Sequence, residues 1–132
     1  MSNRPVHFEI HADDPERAAK FYSAVFGWDI QKWAGGMEYW TVMTAPKDSK
    51  EPGLNGGLIR RKGLVPQKGQ PVSAYVCTME VVSVDETMKK AITAGGAEAL
   101  PKFAIPGMAW QAYAIDTEGN IFGVHQPDMS AK

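Results

Sequence analysis

The sequence has few of the features that mark secreted, membrane-spanning or nucleic-acid-binding proteins. Cys77 is its only cysteine, so no intrachain disulfide can form. No apolar run approaches the roughly 18 residues that span a bilayer, and the opening MSNRPVHFE lacks the apolar core of a signal peptide. The net charge of -1 gives no electrostatic argument for nucleic acid or an anionic membrane as partner. We therefore expect a cytoplasmic protein without either partner.

The 132 residues suffice for one domain, and an apolar content of 44% is usual for a globular protein. Cys77 lies among strand formers in the run SAYVCTM, which predicts a small buried side chain and not a reactive thiolate.

The chain contains the same strand–helix unit twice. In the first copy a strand at residues 6–11, VHFEIH, alternates apolar and polar side chains, Asp14 is a helix N-cap, and Gly27 ends the helix. In the second copy the run SAYVCTM precedes the capping box of Ser83 and Glu86, and Gly95 and Gly96 end the helix. The caps are 69 residues apart and the stop glycines 68, which predicts a tandem repeat.

Three extended runs follow each helix. They are WDIQKW, EYWTVM and GGLIRR in the first half, and AEALPKF, MAWQAYAI and IFGVHQ in the second. The fold class is therefore α+β, with two βαβββ modules over residues 5–62 and 72–127 and a linker over residues 63–71.

The string D-x-x-x-A-x-x-F-Y-x-x-x-x-G-W, which starts at Asp14 behind an alternating strand, resembles the vicinal oxygen chelate superfamily of glyoxalase, bleomycin-resistance and extradiol dioxygenase proteins. The turn Asp116–Asn120 is similar to the superfamily's D-x-[DE]-G-N turn. The resemblance implies that two modules curve a mixed sheet around a central cavity with the helices outside, and that the protein is a homodimer.

The resemblance also implies where metal ligands would stand. His7 occupies the first ligand position. The strand-5 position falls on Val76 or Tyr75, the strand-8 position on Gly123, and the strand-4 position near Asn55-Gly56, where residues 54–59 contain no carboxylate or imidazole. One imidazole does not hold a catalytic divalent ion against water, so we predict a protein without metal or cofactor. A rearranged site built from His7, Glu9, His11 and His125 stays open as an alternative.

Strand alternation turns His7, Glu9 and His11 away from Val6, Phe8 and Ile10, and therefore towards the cavity. The candidates for general acid–base catalysis are His7, Glu9 and His125. The predicted ligand-binding residues are those three together with Trp33, Trp40, Trp110 and Gly123, which is expected to leave room where the family has a carboxylate.

The sequence thus predicts a binder of a small, partly aromatic molecule with a degenerate metal site. Two alternatives remain. One is a lyase, isomerase or dioxygenase with a rearranged metal site or metal-free acid–base chemistry, and the other is a dimeric interaction module whose cavity is unused.

Overall fold

A computed structural model describes residues 3–132. Two helices and eight strands form in the order β1 (Pro5–Ala12), α1 (Pro15–Phe26), β2 (Asp29–Lys32), β3 (Trp40–Met43), β4 (Gly56–Arg60), β5 (Val76–Glu80), α2 (Val84–Thr93), β6 (Ala97–Ile105), β7 (Ala109–Ile115) and β8 (Ile121–Pro127). The predicted α+β class and its two βαβββ repeats are confirmed. None of the helices in this part of the chain has the length and apolarity to cross a membrane.

The chain divides into two compact units. We call His7–Tyr75 the N-module, and Val76–Lys132 together with residues 3–6 the C-module. In the N-module the strand order is β2-β3-β4-β1, with β4 and β1 parallel and the other neighbours antiparallel. The C-module repeats this arrangement as β6-β7-β8-β5, with β8 and β5 parallel.

Both helices begin at the residues that the sequence predicts. The Asp14 side chain accepts a hydrogen bond from the Arg17 amide, and the Ser83 hydroxyl accepts one from the Glu86 amide. Gly27 ends α1 in the left-handed conformation, with φ at 73°, which a glycine adopts without strain.

Ring packing builds the N-module core on the helix side of its sheet. Phe8, Ile10, Trp40 and Leu58 are buried there, and Tyr22 and Trp28 stack over them with ring centroids 5.4 Å apart. The predicted apolar face of strand β1 is confirmed for Phe8 and Ile10, whereas Val6 is exposed. The apolar side chains of α1 are buried only in part, since Phe21, Val25 and Phe26 remain exposed.

Smaller side chains build the C-module core. Its members are Val81, Val84, Met88, Ala112, Ala114 and Val124. Cys77 is exposed, so the prediction of a buried cysteine is wrong. Counted from the two N-caps, α2 carries the small Ala91 where α1 carries the ring of Tyr22.

Candidate functional site

A hydrogen-bonded polar group lies on the face of the N-module sheet that is turned away from α1. His7 Nε2 and the Tyr39 hydroxyl are 2.8 Å apart, and the tautomer of His7 decides which of them donates. Glu9, on the same face of β1, is only 9% exposed. Burial, and then the negative charge of Glu9, raises the pKa of Tyr39, so the phenol keeps its proton at neutral pH.

Local sequence explains how this group is assembled. Trp40 turns towards the core, so its neighbour Tyr39 turns to the opposite face. There the phenol lies over Gly57, which pairs with Glu9 in the parallel register of β1 and β4. A side chain at position 57 would occupy the space of the Tyr39 ring. Trp33 borders the group, with its ring centroid 6.1 Å from that of Tyr39.

The C-module carries a second polar group on the matching face of its sheet. The Gln111 amide oxygen accepts a hydrogen bond from His125 Nδ1 at 2.7 Å. Burial lowers the pKa of His125, and the nearby charge of Glu80 acts in the opposite direction. Thr78 is 2% exposed, and its hydroxyl has no hydrogen-bond partner among the described residues.

The predicted open space at Gly123 is absent. A Cβ atom there would lie 2.6 Å from Thr78 Oγ1 and 3.0 Å from both Gln111 Nε2 and Tyr113 Cε2. A larger side chain at position 123 would therefore meet neighbouring side chains and not an empty cavity. This glycine makes room for its neighbours' side chains instead of for a ligand.

Two of the predicted aromatic lining residues lie on the helix side of their sheets. Trp40 is 3% exposed within the N-module core, and its indole N–H donates to Glu16 of α1. Trp110 packs against the C-module core, and its indole N–H donates to Asp128. Their expected orientation towards the ligand face is thus wrong, and Trp33 alone of the three lies beside the polar group.

The residues present do not fit the superfamily's metal. In the N-module the ligand positions hold His7 and, by the observed strand register, Gly57. In the C-module they hold Val76 and Gly123. Within residues 3–132 no group of three His, Cys, Asp or Glu side chains is arranged to bind a metal ion, so the rearranged site of His7, Glu9, His11 and His125 gains no support.

Tyr39 and Gln111 are the site residues that sequence reasoning missed. The signal for Tyr39 was present in the run EYWTVM, because strand alternation places Tyr39 opposite whichever face Trp40 occupies. The same rule places Gln111 opposite Trp110. The prediction placed Trp40 and Trp110 on the ligand face, and it therefore assigned the two faces of β3 and β7 the wrong way round.

Comparisons with known proteins agree with this fold. Residues 4–45 match the family model described as Bleomycin resistance protein-like N-terminal, which is less than half of the chain. No curated protein matches the sequence.

Solved structures match over nearly the whole chain. One is a Streptomyces coelicolor methylmalonyl-CoA epimerase in complex with 2-nitronate-propionyl-CoA, at TM-score 0.64 and 13% identity over 98% of each chain. Another is a glyoxalase/bleomycin resistance protein/dioxygenase superfamily member from Vibrio splendidus 12B01, at TM-score 0.61 and 14% identity over 93% of this chain and 97% of that one. A third is described as an NAD-dependent benzaldehyde dehydrogenase from Legionella pneumophila, at TM-score 0.57 and 14% identity over 92% and 98%. Identities this low establish the fold and leave the activity open.

Proposed function

Since the chain has the fold of the vicinal oxygen chelate superfamily, we propose that it is a small-molecule-binding protein of the glyoxalase/bleomycin-resistance type that works without the superfamily's metal. The single observation that supports this proposal is the group of His7, Tyr39 and the buried Glu9 on one face of the N-module sheet.

The composition of this group suits a ligand site. Burying a carboxylate is costly unless a hydrogen-bonding group or a function compensates for the loss of water. A few converging polar groups beside a flat aromatic ring are typical of pockets for small organic molecules. Here the polar groups are an imidazole, a phenol and a carboxylate, and the ring is that of Trp33. We therefore place the ligand against His7, Glu9, Tyr39 and Trp33.

The test is calorimetric titration with two probes, bleomycin and methylmalonyl-CoA, which the names of the matching family and of a solved neighbour suggest. We expect one of them to bind, and we expect Tyr39→Phe to weaken that binding about fivefold, because a lost hydrogen bond is worth about 1 kcal/mol.

The matched control is Tyr75→Phe, since Tyr75 stacks on Phe8 at the core side of the N-module. Equal binding by wild type and Tyr39→Phe would place the ligand elsewhere. Binding of neither probe, together with unchanged melting temperature across a library of aromatic acids, would refute the proposal.

A second candidate, metal-free acid–base chemistry, is favoured by the same geometry. A buried carboxylate close to a protonated phenol supplies a base and a hydrogen-bond donor for removing a proton next to a carbonyl. Incubation of methylmalonyl-CoA in D2O with chelator would show exchange of the α-proton by NMR. Loss of the exchange in Glu9→Gln, with exchange retained in the exposed control Glu51→Gln, would support it. If the wild type catalyses no exchange, the catalytic candidate is refuted and only the binding proposal stands.

The protein's homodimeric state and cytoplasmic location are part of the proposal. The exposed Phe21, Val25 and Phe26 of α1 form an apolar surface that favours association, which is also the third candidate role of an interaction module. Light scattering that gives the mass of one chain at micromolar concentration would rule the dimer out.

A further inference from the structure

A cleft with a volume of about 310 Å³ lies on the helix side of the C-module. Its floor is apolar and consists of Met79, Val81, Phe122 and Val124. Its wall is polar and comes mainly from one side of α2, with Ser83, Glu86, Thr87 and Lys90, and from Asn3 and Val82 at the edge. The volume is at the lower end of the range for small-ligand pockets, so it suits an occupant about as large as an amino acid.

The repeat shows that the strand face at this opening is covered differently in the two modules. The strand registers match Glu9 with Thr78, so Ile10 of the N-module corresponds to Met79. Ile10 is 5% exposed, whereas Met79 is half-buried and its neighbour Cys77 is exposed. Ala91, counted from the N-caps, and Gly96, counted from the glycines behind the helices, stand where the N-module has the stacked rings of Tyr22 and Trp28. The strand face that is covered in one module is accessible in the other.

The wall of the cleft presents one charge of each sign. Glu86 and Lys90 are four residues apart on α2 and therefore lie on the same side, one helical turn from each other. Both are exposed, and neither makes an ion pair within residues 3–132. A negatively charged group placed near Lys90 and a positively charged group placed near Glu86 would both be favoured over the apolar floor.

We propose that this cleft binds a free α-amino acid with a large apolar side chain. The carboxylate pairs with Lys90, the ammonium pairs with Glu86, and the side chain lies on Met79 and Phe122. The site is separate from the polar group of the N-module and does not depend on it.

The experiment uses the full chain labelled with ¹³C at the methionine methyl groups, with the Met79 signal assigned through Met79→Leu. The probes are L-phenylalanine, 2-phenylethylamine, which lacks the carboxylate, and 3-phenylpropanoate, which lacks the ammonium. We expect L-phenylalanine to shift the Met79 signal along a saturable curve. Each analogue should bind about fivefold more weakly, the factor expected for one partly exposed ion pair.

Two neighbouring lysines of α2 provide a matched pair of variants. Lys90→Gln should abolish the preference for L-phenylalanine over 2-phenylethylamine, whereas Lys89→Gln should preserve it, because Lys89 does not line the cleft. Tyr39→Phe should leave all three curves unchanged. The proposal is overturned if Met79 shows no saturable shift, if the three probes bind equally, or if the two lysine variants behave alike.

Discussion

The two modules share one backbone plan but differ in how the helix-facing side of the sheet is filled. In the N-module Phe8, Tyr22, Trp28 and Tyr75 form a contiguous ring cluster, with Phe8 and Tyr75 centroids 5.3 Å apart. The corresponding positions of the C-module include Cys77, Ala91 and Gly96. Aromatic side chains bury large areas, and in the N-module they form one contiguous cluster, whereas the buried members of the C-module core are valines, alanines and Met88.

The opposite faces of the two sheets differ in chemistry. The N-module presents His7, Tyr39 and Glu9, which combine an imidazole, a phenol and a buried carboxylate. The C-module presents Thr78, Gln111 and His125, which include no carboxylate in the matching place. Only the N-module group pairs an acid with a protonated hydroxyl, and this is why we assign the proposed ligand to it.

The largest effect should come from truncating the side chains at two matched strand positions, Phe8 in the N-module and Cys77 in the C-module. Phe8→Ala should lower the free energy of unfolding by about 3–5 kcal/mol, because it leaves a cavity in a buried aromatic cluster. Cys77→Ala should change it by less than about 0.5 kcal/mol, since that side chain is exposed. Urea denaturation measures both. Similar losses in the two variants would mean that the modules are packed alike.

The next largest effect should come from a methyl group added at the matched glycines. Gly57→Ala and Gly123→Ala should each cost about 1–3 kcal/mol through overpacking. At position 57 the added methyl meets the Tyr39 ring. If Tyr39 is first replaced by Ala, adding Gly57→Ala to that variant should therefore cause no further loss of stability. At position 123 three side chains crowd the new methyl, so Thr78→Ala should give only partial recovery. If stability were fully recovered at both sites, a single side chain would be the obstacle in each module, and the two glycines would be crowded in the same way.

The repeat plan was predictable from the sequence because it depends on local chemistry. Caps at Asp14 and Ser83, glycine at the end of α1 and alternation along the strands each act over a few residues. In α2 the C-cap is Ala94, and the predicted stop residue Gly95 follows it with φ at 105°. The strand bounds differ from the predicted runs by at most three residues at either end, and several ends coincide.

The orientation of the tryptophans was not predictable in the same way. In EYWTVM and MAWQAYAI both faces of the strand carry large or apolar side chains, so alternation defines two sets without deciding which one faces the helix. Long-range partners decide it, since Trp40 bonds Glu16 and Trp110 bonds Asp128. The exposure of Cys77 is likewise a matter of what packs over its strand from elsewhere in the chain, which the local pattern SAYVCTM does not contain.

A smaller effect should come from the caps, where the modules are expected to agree. Asp14→Ala and Ser83→Ala should each lower the free energy of unfolding by about 1 kcal/mol, because each leaves one helix amide without its acceptor. Asp14→Asn and Ser83→Asn keep an acceptor and should cost much less. If only one of the two alanine variants lost stability, the cap hydrogen bond of the other helix would contribute nothing to the folded state.

The smallest effect concerns pH and arises from two part-buried histidines, His125 and His11. Burial lowers the pKa of His125 below its ordinary value of 6.5, so the unfolded chain binds a proton more readily than the folded one as the pH falls through that value. Protonation therefore destabilises the native state, and stability should decline between pH 7 and pH 5.5. His125→Asn keeps a donor for the Gln111 oxygen but cannot titrate, so its stability should decline less over this range. Urea midpoints at the two pH values measure the difference.

His11, whose pKa is lowered by burial and by Arg61, contributes in the same direction, so His11→Asn should flatten the curve further when combined with His125→Asn. Parallel curves for the wild type and the double variant would show that the pH dependence arises elsewhere.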